Sequence, residues 1–600
     1  MLPKKSLLVV MLLLGCGLAQ SQQILLNDLS AFKNAPANWR IAADAAADLN
    51  EKNNMTTTSG TGALVCIHPA GKYGREYDLF TNLQHGDADL EFDFMMAKGS
   101  NSGVYLQGRY EIQLFDSWGT KQPRNYDVAA IYERWDESRP NGQKGYEGHP
   151  PRMNACRAPG LWQHLKVSFQ APRFDANGKK IANAKVLKVE LNGATVQEEV
   201  ELIGPTRGGL ESEVAAGPLL FQGDHGSVAF RNIVLKPFNK PAPTLKNLTY
   251  AYYENVTGKT PDVSKRTPKK QGSVDGIDYN LATANKDYVL RFTGTLNVPV
   301  AGKYTFNTVE RAGEMQLTVA NQNVVTWQWW EGKGTATLPA GDVPFEMLYY
   351  RSADWAQPSL GVFVEGEATR SVPLHAIGSI NMDKPVGPIL IGVGSTPVVH
   401  RSFLEVRNEN ISHGVSVGDP SGVHYAVNLE KGALVRVWKG DFVDATPMWN
   451  DRGNGMSLPF GGILDLQNQP LLGLLATDQT TWPTAYSEAD GHRFRGYDID
   501  ATGRPIFKYE VADVVVKDQI KPDTENKYLE RELTIGGTIP AQLQCRLAIG
   551  KQIEKVNDNL YIIDKQYYVK TTGSATIRNI ANGQELLTPA KATVSYAIIW

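Results

Sequence analysis

Cysteine is scarce in this chain of 600 residues: Cys16, Cys66, Cys156 and Cys545 are all it has, with no CxxC, CxxCH or paired Cys/His spacing. That excludes a disulfide scaffold and a thiolate zinc or haem centre. An excess of one charge is also missing, since 61 Lys and Arg face 63 Asp and Glu for a net charge of -2. A near-neutral chain has no broad field for nucleic acid or an anionic membrane, and the short clusters Lys265-Arg266 and Lys269-Lys270 read as solvated loop charge. No apolar run reaches the roughly 20 residues of a spanning helix. A Gly-rich dinucleotide fingerprint joined to a strand and helix is absent, as is a GxSxG elbow, which argues against nicotinamide redox work and serine hydrolysis.

What the chain does have begins with a leader. Lys4 and Lys5, the apolar stretch from Leu7 to Leu14, and then small and polar residues follow the order of a signal peptide, assigned to residues 1–21. Ala19-Gln20-Ser21 offers a cleavage site, while Leu13-Leu14-Gly15-Cys16 has the form of a lipobox that would place a lipid anchor on Cys16. Both routes stay open, and both put the mature chain in the periplasm or on the outer surface. Cys66 and Cys156 fall in one block, where they either pair or stay as buried free thiols.

Short alternating strands separated by Gly, Asn, Asp and Pro turns recur throughout, and no long pattern of period 3.6 interrupts them. The fold class is therefore all-β, as β-sandwich (jelly-roll) domains in series. Pro-rich breaks at Lys236–Pro243 and Asn381–Pro388 divide the chain into blocks of residues 22–240, 245–377 and 389–600.

The most informative run extends from Asn101 to Asp116. Read as one strand, it places Tyr105, Gln107, Arg109, Glu111 and Gln113 on one face, with Leu106, Tyr110, Ile112 and Leu114 on the other. A mixture of Tyr, Gln, Arg and Glu suits hydrogen bonding to a sugar better than mere solubility. A solvated polar face is the plain alternative.

Several motifs in the first block carry a resemblance: Asn101-Ser-Gly, Tyr110 to Asp116, Pro159-Gly-Leu-Trp162, Gln222-Gly-Asp-His-Gly226 and Phe230-Arg-Asn-Ile233. Together they resemble the bacterial 3-keto-disaccharide hydrolase domain, whose fold is like that of concanavalin-type lectins and laminarinase-type glucanases. The second block, through Tyr288 to Pro299, Ala301 to Phe306 and Val343 to Tyr350, is similar to the sandwich module of anthrax protective antigen. In members that bind sugar through calcium, paired Asp residues follow the Tyr-Thr-Phe strand. Here Val309 to Glu314 lacks that pair. Trp327, Trp329 and Trp330 could stack on sugar or simply pack. The third block resembles β-rich segments of exported multidomain bacterial proteins, and no activity follows from that.

Glu111 to Asp116 resembles the E-x-D-x-x-E strand of laminarinase-type glycosidases, with Gln113 replacing the central Asp; a bulge would return Asp116 to the face of Glu111 and give a carboxylate pair. The keto-sugar resemblance implies a different reaction, in which a 3-keto group acidifies the hydrogen on carbon 2 and the glycosidic oxygen leaves by elimination before water adds. Glu111 or Asp116 then serves as base, His225 as proton donor, and Arg109 or Arg231 as the cation facing the enolate. Tyr105, Gln107, Gln113 and Gln222 would complete substrate binding. Glu111, Asp116 and His225 have donor atoms suited to a divalent metal, but no metal-ligand spacing specifies one. The expected partner is an oligosaccharide or glycoside, with polysaccharide or cell-surface binding by the later blocks. A multi-domain carbohydrate-binding or adhesion protein without catalysis is the competing reading.

Overall fold

The computed structural model describes residues 22–69, 71–258, 261–380, 387–450, 453–487 and 491–600. The leader, with Cys16 and both processing sites, lies outside the described residues. Strands dominate, and the α-helix among the described residues is the short Thr446–Trp449, so the all-β expectation holds. No helix of the described residues is long and apolar enough to cross a membrane.

Residues 23–235 and 386–600 form one compact unit, and residues 236–385 cluster as another. In the first unit, two sheets enclose the core of the first block. One has eight strands, including Trp39–Ala47, Met55–Cys66, Ala88–Met96, Trp162–Gln170 and Val228–Pro237. The other has five, in the order Phe32–Lys33, Leu79–His85, Gly217–Phe221, Asn101–Leu106, Tyr110–Phe115. Alternation explains the pairing of faces: in Ala88–Met96, Leu90, Phe92 and Phe94 are buried while Asp89, Glu91 and Asp93 are not. Phe230 meets Phe221 and Phe92 edge to face between the sheets, with ring centroids 4.9 and 5.7 Å apart. Each such side chain contributes about 1.5–3 kcal/mol through removal from water.

The third block docks on the first. Leu161 packs with Leu560, Ile562, Tyr568 and Ile599, and the Tyr568 hydroxyl donates to the Pro159 carbonyl at 2.9 Å. The Lys565 ammonium reaches Asp44 at 2.6 Å, and the Trp118 indole donates to the Trp600 carbonyl at 2.8 Å. Gly160 permits the approach: it has φ +81, and a Cβ there would lie 2.4 Å from both Ala47 O and Tyr568 Oη.

Cys66 and Cys156 are separate buried free thiols, each pushed up to about 12 by burial, so the pairing alternative fails. In the second unit, a sheet built on Thr244–Glu254, Tyr288–Val298, Gly302–Val319 and Gly341–Arg351 buries Phe292, Phe306 and Tyr349. Trp327 packs against Tyr253 and Tyr350, the Trp329 indole donates to Glu314 at 2.9 Å, and Trp330 meets Trp355 instead. The three expected tryptophans therefore make no shared platform.

Candidate active site

The run from Asn101 to Asp116 is a hairpin, not one strand. Asn101–Leu106 pairs with Tyr110–Phe115 through the three-residue loop Gln107–Arg109, within which Leu106 accepts the Arg109 N–H at 2.9 Å. Gln107 and Gly108 both have positive φ, 52° and 68°, as a type I′ turn requires. Gln107 and Arg109 therefore leave the polar face. The Gln107 amide is buried and donates to the carbonyls of His85 and Ala215, and the Arg109 guanidinium holds the carbonyls of Gln107 and Ser212. Both fasten the turn.

Across the hairpin, Tyr105 opposes Glu111 and Gly103 opposes Gln113, so these four share one face of the five-stranded sheet. Leu220 opposes Tyr105 and Phe80 opposes Leu220, which extends that face; Gln222 donates its backbone N–H to Gly103 O at 2.9 Å. Asp78 stands one residue before the strand Leu79–His85, in step with Phe80. Gln113 donates to the Asn101 side chain at 3.1 Å, and the Gln222 Oε1 is buried without a partner among the described residues. Strand pairing has thus assembled Asp78, Tyr105, Glu111, Gln113 and Gln222 from three distant stretches of sequence.

The electrostatics of this face are those of crowded acids. Burial raises the Glu111 carboxyl well above its ordinary 4.5, opposed by the Tyr105 hydroxyl and reinforced by the charges of Asp78 and Asp224. Burial thus favours the protonated form of Glu111. Tyr105 is also raised, by burial and then by the Glu111 charge. Asp78 is raised to about 7, chiefly by burial, although it accepts the Gly223 N–H at 3.0 Å. Asp224 is held low: burial opposes ionisation, but the His225 ring and the Gly74 N–H, at 3.0 Å, outweigh it. The Asp224 hydrogen bond to Nδ1 raises His225 in turn. His225 is exposed at the rim, with the Tyr73 ring 5.3 Å away.

Gly103 makes room for Glu111, because a Cβ there would stand 2.1 Å from Glu111 Oε1. Gly208 does the same for Tyr105, with a Cβ position 2.8 Å from its hydroxyl oxygen.

Asp116 does not join Glu111. The ladder from Asn101↔Phe115 to Leu106↔Tyr110 runs without a bulge, so period two sends Asp116 to the other side. There it accepts the Gly99 N–H at 2.7 Å. The conventional pair of nearby carboxylates expected from the sequence is not formed. Arg231 lies on the eight-stranded sheet, bonded to Asp93 at 3.2 Å and covering the Trp162 ring at 4.1 Å, so it pins a strand instead of facing the acids. The cations felt at the cluster are Arg75, which lowers Asp78, and Arg207, which lowers His225.

Sequence reasoning missed Asp78, Asp224, Arg75 and Arg207. Asp224 stood beside His225 in a motif already noted, whereas Asp78 carried no local signal. A divalent ion does not fit this arrangement. The described residues contain no group of three or more His, Cys, Asp or Glu side chains able to hold one, and Asp224 already spends both oxygens on His225 and Gly74.

Comparison with known proteins adds the following. Among curated proteins, none matches the chain. A candidate glycosyl hydrolase from Parabacteroides distasonis ATCC 8503 is 22% identical with a TM-score of 0.25, covering 36% of this chain and 84% of that one. A second from the same organism is 18% identical with a TM-score of 0.23, covering 36% and 99%. An anti-sigma factor domain-containing protein is 14% identical with a TM-score of 0.18, covering 47% and 99%. Scores this low carry no functional weight. Residues 25–236 match the model of the 3-keto-alpha-glucoside-1,2-lyase-like domain and residues 246–375 match the PA14 domain, a domain content that supports a carbohydrate-active protein.

Proposed function

We propose that the first block cleaves 3-keto-glycosides by removing the carbon-2 proton, and that the chain is an exported bacterial enzyme of glycan breakdown. One observation carries the chemistry: a buried Glu111 raised well above its ordinary range, an Asp78 poised at about 7 and an Asp224–His225 pair act on one another at the edge of one sheet face. Groups in one site with such different proton affinities divide acid from base roles.

Asp78 is the base, since a carboxylate with a pKa near the working pH is both available and strong enough for an acidified C–H. The electrons left on carbon 2 pass to the 3-keto oxygen. The Glu111 carboxyl and the Tyr105 hydroxyl, both protonated and buried, donate hydrogen bonds to that oxygen. Collapse of the enolate breaks the bond from carbon 1 to the glycosidic oxygen, which takes its proton from the His225 imidazolium. Water then adds at carbon 1 and gives up a proton to the now neutral His225, and Asp78 returns its proton to carbon 2, which restores both groups. Neutral donors thus replace the arginine stabiliser expected from sequence.

The test is to incubate the protein with a 3-keto-glucoside and the matched glucoside in deuterated water. Aglycone release from the keto substrate alone, with deuterium at carbon 2, is the expected result. Equal cleavage of both, without label, refutes the mechanism.

A further inference from the structure

The surfaces of the first and third blocks, within the unit of residues 23–235 and 386–600, do not close completely. They leave a cleft of about 600 Å3, a size typical of small-ligand sites. Leu560 and Ile599 give it limited apolar wall, and Trp118 and Tyr528 add aromatic edges. The rest is polar. Asn50 and Lys98 come from the first block; Lys527, Asn557, Asn559 and Lys570 come from the third.

Most acids around the cleft are already satisfied. Asp523 is buried and accepts backbone N–H groups from Glu525 at 3.0 Å and Tyr528 at 2.9 Å. Glu525 is exposed and pairs with Lys527 at 2.7 Å. Asp116 lies in the field of Lys98 and Lys527, bonded to Gly99 N–H. Two ammonium groups remain available, one from each block. Lys98 donates to the Asn50 carbonyl at 3.1 Å and has two further protons, while Lys570 is exposed with no partner among the described residues.

We propose that this cleft binds an acidic oligosaccharide, with a carboxylate held between Lys98 and Lys570. The Asn50, Asn557 and Asn559 amides carry both donors and acceptors, which is what neighbouring sugar hydroxyls demand. The small apolar wall does not suit a lipid chain, and the volume exceeds what a bare phosphate fills. The proposal goes beyond the catalytic reading, because no cleft residue belongs to the Glu111 face, and the two can fail separately.

The experiment is calorimetric titration of the full chain with tri-galacturonate, tri-glucuronate, maltotriose and inorganic phosphate, each in low and high sodium chloride. At least one oligouronate should bind, and its affinity should fall with salt. Maltotriose should bind far more weakly. Lys98→Gln and Lys570→Gln, both at exposed positions, should each weaken oligouronate binding about tenfold or more, the scale of one lost charge-assisted hydrogen bond. Turnover of the keto-glucoside should be unchanged in both variants. No heat from either oligouronate overturns the proposal, as does equal affinity for maltotriose, binding of phosphate as tight as that of the oligouronates, or indifference to both substitutions.

Discussion

Replacing Asp78 by Asn should stabilise the fold while abolishing most of the activity. Burial holds the Asp78 carboxyl at about 7 against an ordinary 3.8. Because the folded state keeps the proton longer, stability is greatest below 3.8, declines as pH rises, and is fully reduced above about 7. At 1.36 kcal/mol per pH unit, the gap is worth roughly 4 kcal/mol as a ceiling. Solvent at the half-buried carboxyl screens part of it, and Asn accepts the Gly223 N–H less strongly, by about 1 kcal/mol. Asp78→Asn should therefore be more stable than the parent by roughly 1–3 kcal/mol at pH 8, with the difference vanishing near pH 4. Turnover of a 3-keto-glucoside should fall by about two orders of magnitude or more, the usual cost of a lost general base. Calorimetric melting at both pH values, with turnover measured beside it, checks both halves. Parallel pH dependence in parent and variant would refute the electrostatic argument, and retained turnover would refute the role of Asp78.

Two further outcomes follow from the same physics. Gly103→Ala places a methyl 2.1 Å from Glu111 Oε1, so the carboxyl must swing away from Tyr105. Turnover should drop at least about tenfold, and the melting temperature should fall as well, because Glu111 is buried and the methyl would also meet its Cδ at 2.8 Å and Cγ at 2.9 Å; unchanged turnover would show that Glu111 need not stay where it is. In the second unit, Glu310 is fully buried, neither carboxylate oxygen has a hydrogen-bond partner among the described residues, and burial lifts it from 4.5 to about 7. Ionisation between those values should remove roughly 3 kcal/mol from that unit, so Glu310→Gln should flatten its stability between pH 5 and 8, as chemical denaturation at several pH values would record.

That Tyr105, Glu111 and Gln113 share one face was legible because side-chain alternation marks a face of a strand, whereas Gln222 was noted only within its motif. The same rule misplaced Gln107 and Arg109. Alternation survives this hairpin because three residues, Gln107 to Arg109, separate the paired Leu106 and Tyr110, so opposed residues differ by an even number and return to the same face; the Gly108 in the loop was the clue. His225 was found as a motif, but its partner Asp224, and Asp78, acquire meaning only through contact.

The sequence by itself determined the all-β class, its strands and their buried faces. Those properties are local: side-chain period and turn preference act over a few residues. The tertiary structure decided which carboxyls share a field, that Asp116 stands apart from Glu111, and that the third block packs on the first. Strand pairing brings Asp78, Glu111 and Asp224 together across more than a hundred positions of sequence. Proton affinity depends on burial and on charges a few ångströms away, so the roles of these acids exist only once the sheet has formed.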